Sequence, residues 1–200
     1  MDLARNLIGR INVGDNLTRS AAARPGRLAV VDGDRRFRYA GFNAHVNRLA
    51  HGLTGLGYQR EAVLAIASGN SADFLAVYYA CAKLGVVCVP VNLGWRPDEV
   101  AYVLGHSRAR AIVVETQLLA AMRDAIAKVP EVLDVIVAPG TGGEPVELVE
   151  VELEPADRAW TTLEALSGPG GDLLPPGGTG KIQKNVVRSE HVSHYEDEEG

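Results

Sequence analysis

Between residues 63 and 138, short apolar runs alternate with longer segments that carry apolar residues at helical spacing. The four apolar runs, all of strand length, are VLAIA (63–67), VVCVPV (86–91), AIVVE (111–115) and LDVIVA (133–138). The segments between them, at 71–84, 97–106 and 118–126, predict helices. Strands separated by helices are typical of right-handed crossovers between parallel strands. The alternation predicts an α/β fold with a mostly parallel sheet and helices on both faces.

Upstream of this region the sequence predicts two helices and a hairpin. A short helix follows the cap-like Asp15, and LAVVD and RFRY flank a turn at Gly33-Asp34. One apolar stripe, in which His45 and His51 are interpreted as exposed, predicts a helix at 42–56. In the helix at 71–84 the residues expected to face inward are Phe74, Leu75, Tyr78, Cys81 and Leu84. We expect Ser71 to cap its start, Gly85 to end it and Pro97 to open the next helix.

The composition changes after residue 138, and this change divides the chain into three parts. Residues 1–138 form the predicted α/β domain, and 139–172 are interpreted as an acidic, Gly/Pro-rich linker with eight acids and one base. Within the linker, VELVEVELE (146–154) alternates like an edge strand, although its acids favour a solvated segment. Trp160 and Leu163–Leu166 are expected to dock back as a short helix. Residues 173–200 hold a lysine motif and an acidic tail that we expect to be disordered.

Composition excludes some classes of partner. The chain has 200 residues, 46% of them hydrophobic and 22% charged, and a net charge of −5. An acidic balance argues against nucleic acid or an anionic membrane as the main partner. No apolar run is long enough for a membrane span or a signal peptide, so we expect a cytoplasmic protein. Cys81 and Cys88 are interpreted as small buried apolar residues.

The stretch LLPPGGTGKIQKNVVR (173–188) places lysines after a Gly/Thr turn, so we tested it against phosphate-binding motifs. A Walker A loop requires glycine where Pro175 stands and a hydroxyl where Ile182 stands. The dinucleotide pattern fails in the same way at Pro145 and Gln183. His191 and His194 are interpreted as solvated, and we expect no metal site.

Two long segments together resemble the AMP-forming acyl-CoA synthetases of the adenylate-forming ligase family. They are NLTRSAAARPGRLAVVDGDRRFRYAGFNAHVNRLAHGLTGLG (16–57) and NSADFLAVYYACAKLGVVCVPVNLGWRPDEVAYVLGHSRARAIV (70–113). The resemblance runs over residues 15–138, and Ala40-Gly41 departs from the acidic position usual there. It implies a ligase that uses ATP and Mg²⁺ to convert a carboxylate, here a fatty acid, into an acyl-adenylate, and then transfers the acyl group to coenzyme A.

The family offers two placements for LLPPGGTGKIQKNVVR. By position it resembles the family's phosphate loop, shortened and with Asn185 where glycine is usual. By identity it resembles the last motif of the family, which ends in Gly-Lys-Ile, a second lysine and an arginine. We favour the second placement, which makes Lys181 the catalytic lysine of adenylation and implies nucleotide contacts from Gly178, Thr179, Gly180 and Lys184.

On that placement the middle of the family's sequence has no counterpart here. We therefore predict a truncated fatty-acyl-CoA ligase family protein that does not catalyse adenylation alone. Two alternatives stay open. One is a non-catalytic interaction module that self-associates through an uncovered sheet edge. The other is an ATP-binding protein with a shortened phosphate loop at 177–181.

Overall fold

The computed structural model describes residues 12–140 and 158–168. In chain order the helices are α1 (Val13–Ala23), α2 (Tyr39–Gly55), α3 (Ala72–Leu84), α4 (Pro97–Ser107), α5 (Leu119–Ala127) and α6 (Leu163–Leu166). The strands are β1 (Leu28–Asp32), β2 (Arg35–Arg38), β3 (Val63–Ala67), β4 (Val87–Pro90), β5 (Ala111–Glu115), β6 (Asp134–Ala138) and β7 (Ala159–Thr162). A single 3₁₀ turn, Thr116–Leu118, leads into α5. None of the helices in these ranges has the length and apolar character to cross a membrane.

The main sheet has five strands in the order β4-β3-β5-β6-β7, and every pair is parallel. The chain leaves β3 towards β4, then crosses back past β3 to β5 and continues in that direction to β7. This reversal places α3 on one face of the sheet and α4 and α5 on the other. The predicted α/β fold with a parallel sheet and helices on both faces is confirmed. The predicted hairpin is also present, as the antiparallel pair β1–β2.

Alternate residues of the central strands supply two separate apolar layers. Leu64 and Ile66 of β3 face the layer formed with α1, α2, α3 and α6, whereas Ala65 and Ala67 face α4 and α5. Strands β5 and β6 divide their side chains in the same way. Because both faces are covered, these strands are apolar without interruption, and this explains the runs in the sequence.

Most of the expected helix ends are confirmed, with one correction. The Ser71 hydroxyl accepts from the amide of Phe74, Gly85 ends α3 with a φ of 74°, and Pro97 opens α4. The predicted cap of the first helix was wrong. Asn12, and not Asp15, precedes α1, and its side-chain oxygen accepts from the amide of Gly14 at 2.8 Å.

Some of the expectations about burial were wrong. VVCVPV was interpreted as a buried strand, but β4 lies at the edge of the sheet and Val87 is 49% exposed. Pro90 ends this strand, in keeping with the preference of proline for edge strands. Tyr78 was expected to face inward but is 40% exposed, because the buried stripe of α3 runs through Ala76, Ala80 and Lys83 instead.

His45 was expected to be exposed, and this too was wrong. Its ring is half-buried and stacks on Phe37, with 6.4 Å between the centroids. Burial lowers the pKa of His45, which favours the neutral imidazole at that position.

The segment interpreted as a linker contains ordered structure near its end. Ala159–Thr162 form β7, which pairs with β6, and the expected short helix is present as Leu163–Leu166. Leu163 is buried in the same layer as α2. Leu166 lies close to Gly52, because a Cβ added to Gly52 would overlap the carbonyl oxygen of Leu166. The strand was not predicted. The segment 146–154 lies outside the described residues.

A buried lysine joins the first three helices. Lys83 of α3 is 1% exposed, and its ammonium donates to Thr18 Oγ1 at 3.1 Å, Asn43 Oδ1 at 2.6 Å and Asn47 Oδ1 at 2.7 Å. A Cβ on Gly14 would lie 2.7 Å from Cγ of Lys83, so α1 approaches closely at this point. Three oxygen acceptors match the three donors of an ammonium, which accounts for a charged side chain in this layer.

The Lys83 site predicts a pH dependence of stability. Burial lowers its pKa to about 8, although the carboxylate of Asp15 opposes the shift. A lysine in the unfolded chain has a pKa of about 10.4, so the unfolded state binds more protons between the two values. From about pH 8 to about pH 9.5, the free energy of unfolding of wild type should therefore rise by about 1.5 kcal/mol more than that of Lys83→Met, measured by urea denaturation. Lys83→Met should remove this rise.

Lys128→Met is the matched control, because Lys128 is exposed and pairs with Asp98 at the surface. It should keep the rise that wild type shows. Measurements stop below pH 10 because burial raises the pKa of Tyr58, which makes the fold less stable once the unfolded phenol ionises. An equal rise in wild type and Lys83→Met would contradict the prediction.

Candidate functional site

The residues singled out by the sequence for nucleotide chemistry lie outside the described residues. They are Gly178, Thr179, Gly180, Lys181 and Lys184. His191 and His194 also lie outside them. Their roles therefore stay predictions, and the structure is informative about the other place where the fold favours a ligand.

That place is the carboxyl edge of the sheet between β3 and β5, where the strand order reverses. Ser68 and Gly69 follow β3, and Glu115 is the last residue of β5. The Glu115 carboxylate accepts from the Gly69 amide at 2.8 Å and from the Ser68 hydroxyl at 3.2 Å. Glu115 is buried, so its charge is stabilised by these donors rather than by bulk water.

Arg35, the first residue of β2, extends from the hairpin to the same edge. Its guanidinium forms ion pairs with Asp32 and with Asp73, at 2.9 Å to Asp73 Oδ2. Asp32 also accepts from the amide of Ala72 at 2.9 Å, at the first residue of α3. Partial burial lowers the pKa of Arg35, but its bonds and attraction to Asp73 and Asp32 raise it overall. The hairpin is thus fastened to the start of α3.

The third partner of Arg35 is the backbone at the end of β6. Its Nη2 donates to the carbonyl oxygen of Gly140 at 3.0 Å. Gly140 has a φ of 76°, and a Cβ there would lie 2.2 Å from Cδ of Glu115. A larger residue would be strained and would displace the buried carboxylate. Arg35 and Glu115 therefore fix the path of the chain as it leaves the sheet.

This carboxyl-edge cluster (Asp32, Arg35, Asp73, Glu115) consists of two carboxylates that share the Arg35 guanidinium and of Glu115, which adjoins Arg35's backbone partner Gly140. The excess negative charge disfavours a phosphate group. Within residues 12–140 and 158–168, no three His, Cys, Asp or Glu side chains are arranged to hold a metal ion. The contacts at the described edge position backbone.

Sequence reasoning missed this cluster, although two signals were present. Glu115 follows four apolar residues of a buried strand, and Ser68-Gly69 follow another. Because carboxyl ends of parallel strands meet at one edge, polar residues at both ends could have been paired. Arg35 had no comparable signal in the sequence. It occupies an ordinary hairpin position, and Gly140, whose carbonyl oxygen accepts its hydrogen bond, is 105 positions away.

Comparison with known proteins agrees with this architecture. The chain matches the AMP-binding enzyme family over residues 17–182. It is 36% identical over 115 residues to the putative acyl-CoA synthetase YngI of Bacillus subtilis, and 36% identical over 104 residues to the long-chain-fatty-acid–CoA ligase FadD13 of Mycobacterium tuberculosis. These alignments cover 56% and 51% of this chain.

Solved structures have the same fold. The anthranilate CoA ligase AuaEII aligns with a TM-score of 0.71 at 21% identity, over 84% of this chain and 30% of that one. The N-terminal domain of FACL13 from Mycobacterium tuberculosis aligns with a TM-score of 0.63 at 26% identity, over 83% of this chain and 37% of that one.

A parallel sheet with this strand order, together with the family match, defines the N-terminal subdomain of an adenylate-forming ligase. The chain belongs to the AMP-binding enzyme family, in agreement with the resemblance of residues 15–138 to acyl-CoA synthetases. It spans about a fifth of the length of those two curated relatives, with 20% of the first and 21% of the second covered.

The carboxyl-edge cluster predicts that Arg35 stabilises the fold. Arg35→Met leaves Asp32 and Asp73 close together without the cation that they share. We expect the free energy of unfolding to fall by about 2–3 kcal/mol, somewhat less than for a fully buried pair because the Arg35 side chain is 23% exposed. Chemical denaturation near pH 7 measures this.

Arg36→Met is the matched control, since Arg36 is the next residue of the same strand and is exposed. We expect it to change the free energy of unfolding by less than about 0.5 kcal/mol. Equal effects of the two substitutions would show that the Arg35 contacts contribute little.

Proposed function

We propose that this chain supplies the N-terminal part of an ATP-dependent acyl-CoA ligase that activates a carboxylic acid. The observation that carries the proposal is the family match from residue 17 to residue 182, which includes the whole parallel sheet. The relatives named as acyl-CoA ligases support a carboxylate substrate and coenzyme A as acceptor.

We propose a fatty acid as the substrate class. Support comes from FadD13, whose name specifies a long-chain fatty acid and which is 36% identical to this chain. Other relatives are named for different acids, such as the indoleacetate–CoA ligase of Aromatoleum aromaticum at 29% identity. Both relatives are named as CoA ligases, but they are named for different acids.

The proposed nucleotide contacts are those that the sequence suggests. When bound, ATP with Mg²⁺ would supply the phosphate that activates the carboxylate. Lys181 and Lys184 carry the positive charge that the carboxyl-edge cluster lacks, and Gly178, Thr179 and Gly180 offer backbone amides without bulk. We therefore propose Lys181 as the residue that contacts the reacting groups.

We predict that these 200 residues do not catalyse adenylation alone. The relatives are about two and a half to three times as long as this chain, since the 115 and 104 aligned residues make up 20% and 21% of them, and most of the groups that stabilise the phosphate charge in the family have no counterpart in this sequence. Carboxylate-dependent exchange of labelled pyrophosphate into ATP, with hexadecanoate as the acid, should equal the blank without acid. FadD13, assayed beside it, is the positive control.

A matched variant separates weak activity from contamination. Lys181→Ala should give the same background as the unaltered chain. Exchange that depends on the carboxylate and is lost in Lys181→Ala would overturn the proposed inactivity, yet would support the proposed role of Lys181.

A second candidate function is nucleotide binding without catalysis. It is supported by the extent of the family match, which reaches residue 182 and so includes Gly177–Lys181. Self-association through an edge of the sheet also stays a prediction, because no described contact bears on it.

Nucleotide binding predicts a thermal shift. If ATP binds with a dissociation constant near 1 mM, then about 5 mM Mg-ATP stabilises the fold by about 1 kcal/mol, or about 2–4 °C in Tm. Lys181→Ala should abolish the shift. Lys128→Ala should keep it, because Lys128 is an exposed lysine directly after α5. No shift in the unaltered chain would rule out this candidate.

A further inference from the structure

Helix α3 has its charges on the inside and an apolar face on the outside, the reverse of the usual arrangement of a surface helix. Its two charged residues, Asp73 and Lys83, are only 6% and 1% exposed. The outward positions at successive turns are Phe74, Tyr78 and Ala82. Tyr78 is 40% exposed, so the described part of the chain leaves the middle of this face uncovered. A helix with this distribution is typical of one that another element covers.

This outer stripe of α3 (Phe74, Tyr78, Ala82) is continuous. The rings of Phe74 and Tyr78 are stacked, with 6.5 Å between their centroids and 12° between their planes. Ala82 is half-buried and leaves room beside the second ring. Eight residues of α-helix rise by about 12 Å, so the stripe has the length of about two turns of a neighbouring helix.

The chain enters the described structure at one end of this stripe. The side-chain amide of Asn12 donates to the carbonyl oxygen of Ala82 at 2.8 Å. The same side chain caps α1 by accepting from the amide of Gly14, so its position is fixed from two sides. Whatever precedes Asn12 therefore starts beside Ala82.

The residues before Asn12 have an apolar pattern that matches the stripe. In the segment 2–11 (DLARNLIGRI), Leu3, Leu7 and Ile11 recur every four residues, which predicts one apolar side of a helix. The three residues of the outer stripe have the same spacing. The two arginines of the segment fall outside its apolar side and would stay in water.

We propose that the segment 2–11 forms an amphipathic helix that packs along the outer stripe of α3. Ile11, at the anchored end, lies near Ala82, and the helix runs back from there towards Phe74. Leu7 then lies against the exposed ring of Tyr78. Burial of this ring and of the apolar side of the segment supplies the driving force.

The docked segment would cover the apolar face that is otherwise available to a second copy of the chain. The inference does not depend on the proposed ligase function, because it uses only the start of the chain and α3 and needs no nucleotide.

Trypsin tests the proposal, because Arg5 and Arg10 are cleavage sites within the segment. Cleavage requires the segment to leave α3, so its rate reports the population of the undocked form. In the full chain, Leu7→Ser and Tyr78→Ser should each speed cleavage at these two sites by about tenfold, followed by intact mass. The double variant should be no faster than the faster single variant, because both substitutions remove the same contact.

Tyr102→Ser is the matched control, since Tyr102 is a 68% exposed tyrosine on α4 that stacks on His106 instead. It should leave the cleavage rate unchanged. Circular dichroism confirms that each variant is folded, and Leu7→Ser changes no residue of the described fold.

The same samples decide which element covers the stripe. A monomer in light scattering, with a cleavage rate that does not depend on chain concentration, is expected for a segment that docks on its own α3. Equal cleavage rates in wild type, Leu7→Ser and Tyr78→Ser would overturn the proposal. A dimer that dissociates in Tyr78→Ser would also overturn it, because a second copy would then occupy the stripe.

Discussion

The pairing of β3 with both β4 and β5 is the constraint on which the rest of the described structure depends. Leu64 lies opposite Cys88 on one side and Ala111 on the other, so β3 must be covered on both faces. Because the chain reverses direction around it, α3 covers one face and α4 and α5 cover the other. The alternation of Leu64 and Ile66 with Ala65 and Ala67 then gives each layer its own side chains.

The β1–β2 hairpin is held in place by contacts with the rest of the domain. A two-stranded sheet is marginally stable by itself in water, so β1 and β2 need support from the rest of the domain. Arg35 provides it through Asp73 and the Gly140 carbonyl, which joins the hairpin to the start of α3 and the end of β6. The lysine in the layer below, Lys83, joins α1 and α2 to α3 through neutral oxygens. Polar contacts thus fasten elements that the apolar layers alone leave free to slide.

The sequence predicted β3, β4, β5 and β6 to within about one residue, because a short apolar run is visible without any knowledge of the strand's partners. It could not tell which strand lies at the edge, and so β4 was interpreted as buried. It also missed β7, since AWTT is short and follows an acidic segment with no strand pattern. Long-range contacts such as Arg35 to Gly140 leave no local trace, whereas the Ser68–Glu115 pair follows from the geometry of parallel strands.

The carboxyl edge also engages the backbone amides that an anion would otherwise use. A helix start is a favourable anion site because its amides are free, but at α3 the Phe74 amide is taken by Ser71 and the Ala72 amide by Asp32. The Gly69 amide is likewise taken by Glu115. A phosphate would have to displace these carboxylates against their own charge. At this edge, therefore, the amides after β3 and at the start of α3 bind side-chain oxygens of the chain itself and hold the backbone in place.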